Sequence, residues 1–138
     1  MAAAETTYYA TNTVLSTLNV TGYGIFIAEG SKWAQLTVDG VRTSSDRRLK
    51  EDITKIDPKT AKHLLPVKFR FKGDDKLHYG FIAQDVQKII PDAVTEDKNG
   101  YLSLNYQELI APLYALVQEQ EDRIDRLEAQ LKALEEKR

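Results

Sequence analysis

Apolar residues near the end of the chain recur with a seven-residue period. Residues 106–138 place Ile110, Val117, Ile124 and Leu131 at heptad position a, and Leu113, Gln120, Leu127 and Leu134 at position d. A lone helix would leave this stripe in water, so the pattern predicts a helix that associates with other helices in a coiled coil. A surface helix of a monomeric protein is the alternative.

One stretch of this helix indicates how many chains associate. Residues 123–128 read RIDRLE and resemble the short motif of parallel three-stranded coiled coils, in which an arginine at g covers the core and pairs with a glutamate at e. The sequence therefore favours a homotrimer, with regular heptads beginning just after Pro112. The residues expected to form the trimer contact are Val117, Arg123, Ile124, Leu127, Glu128, Leu131 and Leu134.

The pattern upstream is different. Residues 8–41 are rich in Thr, Val, Ile, Tyr and Gly, and apolar and polar residues alternate at 33–38, which is typical of β-strands. Too few apolar residues are present to close a sandwich, so this segment is predicted to be the end of a larger β structure.

The middle of the chain has short, mixed elements and is predicted to be α+β. The expected elements are a helix from 46 through 56, a helical turn from Pro58 to 65, strands at 67–71 and 77–82 joined by a hairpin, a helix at 84–90 stopped by Pro91, and a turn at 97–100. The organisation predicted is a β-rich end (1–44), a small mixed domain (45–105) and a trimeric coiled-coil helix (106–138).

Composition narrows the classes of function. A net charge of −2 gives no basic footprint for nucleic acid, and no apolar run approaches the ~20 residues that cross a bilayer. The chain has no cysteine and only two histidines, His63 and His78, so no metal site and no cofactor is predicted. The histidines are expected to be surface or packing residues rather than a catalytic base.

Ser45 and Lys50 are the candidate catalytic residues, since they place a potential nucleophile five residues from a potential amine base. A lysine accepts a proton only when uncharged, and lowering its pKa from ~10.4 to roughly 7 or 8 costs about 4 kcal/mol. Burial can supply that, and a helix starting at Asp46 would add a contribution by placing Lys50 near its positive end. Five residues of helix span about 140°, so Ser45 must lie on a non-helical turn before the helix, which would also aim backbone N–H groups at the reacting carbonyl.

The bond that this pair would cut is adjacent to Ser45, within Ser44, Ser45 and Asp46. Attack by the Ser45 hydroxyl on the preceding carbonyl closes a five-membered ring, which favours the Ser44–Ser45 bond. A cut between Ser45 and Asp46 would need water or another group as nucleophile. Taken alone, a Ser-Ser-Asp sequence before charged residues is most often a helix cap.

Three motifs occur in order: SDRRLKEDI at 45–53, GFIAQDV at 80–86 and YQELIAPL at 106–113. Together they resemble the C-terminal intramolecular chaperone domain of bacteriophage endosialidases, tail spikes and tail fibres, the S74 peptidase family. The resemblance covers about residues 43–117 and implies a homotrimeric chaperone that helps an intertwined β fibre to fold and then releases itself by self-cleavage. On that basis Ser45 matches the family nucleophile and Lys50 its partner lysine.

The resemblance also implies partners and a location. The partners would be two further copies of the chain and the upstream β fibre of the same polypeptide, with no nucleic acid and no membrane. The precursor would assemble in the host bacterial cytoplasm and become part of the phage virion, while the chaperone part is released. The alternatives are a structural trimerisation or attachment module that never cleaves, and a serine hydrolase acting on outside substrates.

Gly80, Gln84 and Asp85 of the second motif are candidates for lining the cleavage site or contacting the fibre. An ordinary hydrogen-bonded junction between a strand and a helix explains these three residues equally well.

Overall fold

A computed structural model of the chain describes residues 25–29, 32–37 and 39–138. These residues fall into two compact units, of which the first ends at Ile53 and the second is Thr54–Arg138. The β structure predicted upstream of Ile25 lies outside the described residues. The fold is mixed α/β, with short sheets and one long C-terminal helix.

The first unit contains a three-stranded antiparallel sheet. Its strands are β1 (Ile25–Glu29), β2 (Lys32–Thr37) and β3 (Gly40–Thr43), in that order across the sheet. The turn between β2 and β3 depends on Gly40, whose φ of 122° favours glycine, and on Thr37, whose hydroxyl accepts a hydrogen bond from the Asp39 N–H at 3.2 Å. The β composition of this segment thus produces strands where the structure describes it.

The helix predicted from 46 through 56 does not form. A single 3-10 turn, Arg47–Leu49, replaces it, and the chain returns to an extended conformation at Lys50 (φ −121°, ψ 143°). Asp52 then adopts a positive φ of 49°. Asp52 and Thr54 are weak helix formers, and the positive φ of Asp52 interrupts right-handed helical backbone within the predicted range.

The second unit is built from short elements that lead into one long helix. These are a 3-10 turn (Thr60–His63), β4 (Val67–Phe69), β5 (His78–Gly80), α1 (Ala83–Gln87), a 3-10 turn (Pro91–Ala93), β6 (Val94–Glu96), β7 (Leu102–Leu104), a 3-10 turn (Tyr106–Leu109) and α2 (Ile110–Glu136). Strands β4 and β5 pair antiparallel, as do β6 and β7.

The predicted hairpin and short helix are present, but each is shorter than expected. The β6–β7 hairpin was not predicted. Its turn is held by the Asp97 carboxylate, which accepts hydrogen bonds from the N–H groups of Asn99 (2.8 Å) and Tyr101 (2.9 Å), and by Gly100 at a φ of 82°.

A small apolar core holds the second unit together. Its buried members are Ala61, Leu64, Val86, Ala93 and Leu109, and Phe81, Ile89, Ile90, Val94, Leu104 and Leu116 pack around them. Only the beginning of α2 reaches this core, through Leu109 just before the helix and Leu116 within it. Pro112 sits in the first turn of α2, where its missing N–H has no helical partner to lose.

Beyond its first turns, α2 exposes the heptad stripe along a helix about 40 Å long. In the single chain, Ile124 is 48% exposed and Leu134 is 64% exposed. Large aliphatic side chains are rarely presented to water in a continuous row, which makes this face of α2 a candidate contact surface.

Leu109→Ala should lower the free energy of unfolding by about 2–5 kcal/mol, because Leu109 is 1% exposed and its removal leaves a cavity. Leu65→Ala is the matched control: Leu65 is 67% exposed, and its loss should change stability by less than about 0.5 kcal/mol. Chemical denaturation of both variants measures the difference. Equal effects would contradict this assignment of the core.

Candidate cleavage site

Ser45 and Lys50 lie on either side of the 3-10 turn and meet across it. The Lys50 Nζ donates a hydrogen bond to the Ser45 Oγ at 2.8 Å. Ser45 precedes the turn in an extended segment, as the spacing of the two residues requires, and Lys50 directly follows the turn. The two residues selected from the sequence are therefore in direct contact.

Asp46 shapes the turn that brings them together. Its carboxylate caps the turn by accepting a hydrogen bond from the Arg48 N–H at 2.8 Å, and it also binds the Arg48 guanidinium through Nη2 at 2.8 Å and Nε at 3.1 Å. These bonds from Arg48 lower the pKa of Asp46. Their stabilising effect is thus present above the ordinary pKa of an aspartate and is lost as the pH falls through the lowered value.

The expected contribution of the helix dipole is wrong. Lys50 is the residue that closes the turn, and its N–H donates to the Arg47 carbonyl at 3.1 Å, so it lies at the negative end rather than the positive end. The backbone N–H groups of Arg48 and Leu49 are also engaged within the turn, with Asp46 as their acceptor. In this conformation these three amides are not free to stabilise an oxyanion.

The side chains of Ser45 and Lys50 are exposed in the single chain. The first unit therefore places Ser45 and Lys50 in contact but does not remove water from them. For Lys50 to accept the Ser45 proton, the hydrogen bond between them must reverse its direction, which requires an uncharged amine.

Ser44 forms hydrogen bonds with Trp33 at the end of the sheet rather than with Ser45 or Lys50. Its N–H donates to the Trp33 carbonyl at 2.9 Å, and its Oγ accepts a hydrogen bond from the Trp33 N–H at 3.1 Å. The two adjacent serines thus have different partners. Sequence analysis missed this contact, because it depends on the register between β2 and β3.

Gly80, Gln84 and Asp85 belong to the second unit. Gly80 ends β5, and a Cβ added there would overlap the Tyr106 Oη, which accepts a hydrogen bond from the Phe81 N–H at 3.3 Å. Asp85 pairs with Lys88 at 3.1 Å on the surface. Gln84 lies in α1 beside a shallow apolar depression that Phe71 and Leu102 also line.

The two histidines have ordinary surroundings. His78 stacks against Phe69 with ring centroids 5.8 Å apart and contacts the Asp74 carboxylate at 3.4 Å. His63 ends a 3-10 turn and is exposed.

Within the described part of the chain, no group of three or more histidine, aspartate or glutamate side chains is arranged to hold a metal ion. No helix of that part is long and apolar enough to cross a bilayer.

Comparison with known proteins identifies one related family. Residues 45–95 match the family model Peptidase_S74, which is described as the chaperone of endosialidase. The match begins at Ser45, includes Lys50 and the GFIAQDV motif, and covers less than half of the chain. No curated protein matches the chain.

Gly80→Ala should destabilise the second unit by about 1–3 kcal/mol, since the new methyl group collides with the Tyr106 hydroxyl. Tyr106→Phe removes that oxygen, so the double variant should lose less stability than the sum of the two single variants. A double-mutant cycle measured by denaturation checks this coupling. Additive losses would mean that Gly80 is required for a reason other than the approach of Tyr106.

Proposed function

We propose that the chain is an intramolecular chaperone that trimerises and helps a phage tail fibre or tail spike to fold. It then releases itself by self-cleavage adjacent to Ser45. The match of residues 45–95 to Peptidase_S74, the chaperone of endosialidase, supports the chaperone role. The observation that carries the proposal is the 2.8 Å contact between the Lys50 Nζ and the Ser45 Oγ at the start of that domain. In this mechanism Ser45 is the nucleophile and Lys50 is the base.

Trimerisation is supported by the exposed stripe of α2. Val117, Ile124, Leu127 and Leu131 are each about half exposed in the single chain, and a parallel three-stranded coil would bury them. Arg123 and Glu128 form no ion pair within the described residues, whereas Arg126 is held by Glu119 at 3.5 Å. Arg123 and Glu128 are thus free to pair between neighbouring chains.

A coiled coil explains how the chaperone helps a fibre to fold. Strands contributed by three chains must meet in register, and the entropic cost falls when the three chains are already held together at one end. Removing the coil after folding leaves a fibre that cannot easily find its register again once unfolded. Its stability then becomes kinetic.

Assembly would also exclude water from Ser45 and Lys50, which the single chain leaves exposed. Ser45 and Lys50 are exposed in the single chain, so water surrounds both side chains. Packing of the other two copies and of the upstream fibre around this turn would exclude water and favour the uncharged amine. Cleavage would then follow assembly, in the host bacterial cytoplasm, and leave the fibre in the virion.

The same exposure favours a second candidate function. If assembly leaves the dyad in water, the chain is a structural trimerisation or attachment module of a fibre that never cleaves. Intact wild-type chains after complete trimer assembly would establish that alternative.

Ser45→Ala should leave the chain intact, and Lys50→Arg should slow self-cleavage by about 100-fold or more, because a guanidinium stays charged and cannot take the serine proton. Lys55→Arg is the matched control and should cleave normally. Denaturing mass measurement of assembled protein over time gives the fraction cut. Normal cleavage of Lys50→Arg would remove Lys50 from the mechanism.

Leu127→Ser should weaken the trimer, since it places a polar side chain at a d position of the predicted coil. Ala129→Ser introduces the same polar side chain on the opposite face of α2 and should leave the trimer intact. Native mass measurement reads the oligomeric state of both variants. Equal behaviour of the two would argue against the predicted heptad register, and loss of cleavage together with the trimer would support cleavage after assembly.

A further inference from the structure

Trp33 and Ser44 lie next to the last pair of β2 and β3, Ala34 and Thr43, and they depart from the regular hydrogen-bond pattern of an antiparallel sheet. The Ser44 N–H donates to the Trp33 carbonyl at 2.9 Å, which marks these residues as a hydrogen-bonded antiparallel pair. In such a pair the second bond normally runs from the Trp33 N–H to the Ser44 carbonyl. It runs instead to the Ser44 Oγ, at 3.1 Å.

Because the Ser44 Oγ accepts this hydrogen bond, the Ser44 carbonyl is left out of the ladder. The Ser44 side chain occupies the place that its own carbonyl oxygen would take, and within the described residues that oxygen accepts no hydrogen bond. The released carbonyl belongs to the Ser44–Ser45 peptide. The adjacent residue carries the hydroxyl that Lys50 contacts at 2.8 Å.

We propose that Ser44 is a positioning residue for self-cleavage: its hydroxyl takes the Trp33 N–H, withdraws the Ser44 carbonyl from the sheet and selects the Ser44–Ser45 bond for attack. The inference rests on the proposed self-cleavage and specifies which bond is cut and why. The Ser44 side chain does not take part in the bond changes.

The chemical step balances as follows. The uncharged Lys50 amine takes the proton of the Ser45 Oγ, and the oxygen attacks the Ser44 carbonyl carbon through a five-membered ring. The carbon–nitrogen bond breaks, Lys50 returns the proton to the departing Ser45 nitrogen, and an ester joins Ser44 to the Ser45 oxygen. Water then hydrolyses the ester, leaving a carboxylate on Ser44 and a free amino group and hydroxyl on Ser45.

The arrangement also links the cut to the sheet. Trp33 is the second residue of β2 and lies next to the last β2–β3 pair, Ala34 and Thr43, so its N–H reaches Ser44 only when the two strands are paired through that end. Without a hydroxyl at residue 44, the carbonyl itself is the nearest acceptor for the Trp33 N–H. It would then be held in the ladder, and the Ser44–Ser45 peptide could turn toward the Ser45 oxygen only after that hydrogen bond broke.

The test compares Ser44→Thr with Ser44→Val in the full chain, because Thr and Val have the same shape, both favour strands and differ by the hydroxyl. Ser44→Thr should cleave within about twofold of the wild type, and Ser44→Val should be slower by about fivefold to tenfold, the effect of one retained hydrogen bond. Thr43→Ala removes a neighbouring hydroxyl that does not bind Trp33 and should cleave normally. Time courses by denaturing mass measurement give both the rate and the bond.

Two further readouts separate positioning from folding. Native mass measurement must show the same trimer in each variant, and the fluorescence of Trp33, the only tryptophan, must show the same sheet environment in a Ser45→Ala background. Equal rates for the Thr and Val variants, or a C-terminal fragment that begins at Asp46, would overturn the inference while leaving self-cleavage intact. A wild-type chain that stays whole after assembly would overturn both proposals.

Discussion

The contact between the Lys50 amine and the Ser45 hydroxyl is the interaction on which the proposed self-cleavage depends. At 2.8 Å it has the length of a good hydrogen bond, but its chemical meaning changes with one proton. With a charged amine it only orients the hydroxyl, whereas with an uncharged amine it can activate the hydroxyl. Both side chains are exposed in the single chain. In the proposed mechanism, activation of the hydroxyl therefore requires other residues to cover them after assembly.

The parts of the chain contribute to this contact in different ways. The sheet fixes the backbone upstream of Ser45 through Trp33 and Ser44, and the turn capped by Asp46 fixes the backbone downstream. The second unit has only a small core and ends in a helix whose apolar stripe is exposed in the single chain. In the proposed mechanism, this organisation holds Ser45 and Lys50 in contact and makes their activation depend on the other copies.

Local sequence patterns predicted the features that local physics decides. The seven-residue period was enough to predict α2, and the spacing of Ser45 and Lys50 was enough to predict that Ser45 lies on non-helical backbone before the turn. Three features could not be predicted, because they depend on strand register or on contacts between distant residues. These are the exchange of acceptors between Ser44 and Trp33, the approach of Tyr106 to Gly80, and the pairing of β6 with β7. The helix expected from 46 through 56 was wrong because the backbone is extended at Lys50 and adopts a positive φ at Asp52, which helix propensity does not indicate.

The pH dependence of self-cleavage in assembled wild-type trimers tests the central claim most directly. If an uncharged Lys50 amine removes the Ser45 proton, the rate must rise with pH as one group loses a proton and then level off. A rate that does not change with pH while the trimer stays intact would contradict the assignment of Lys50 as the base.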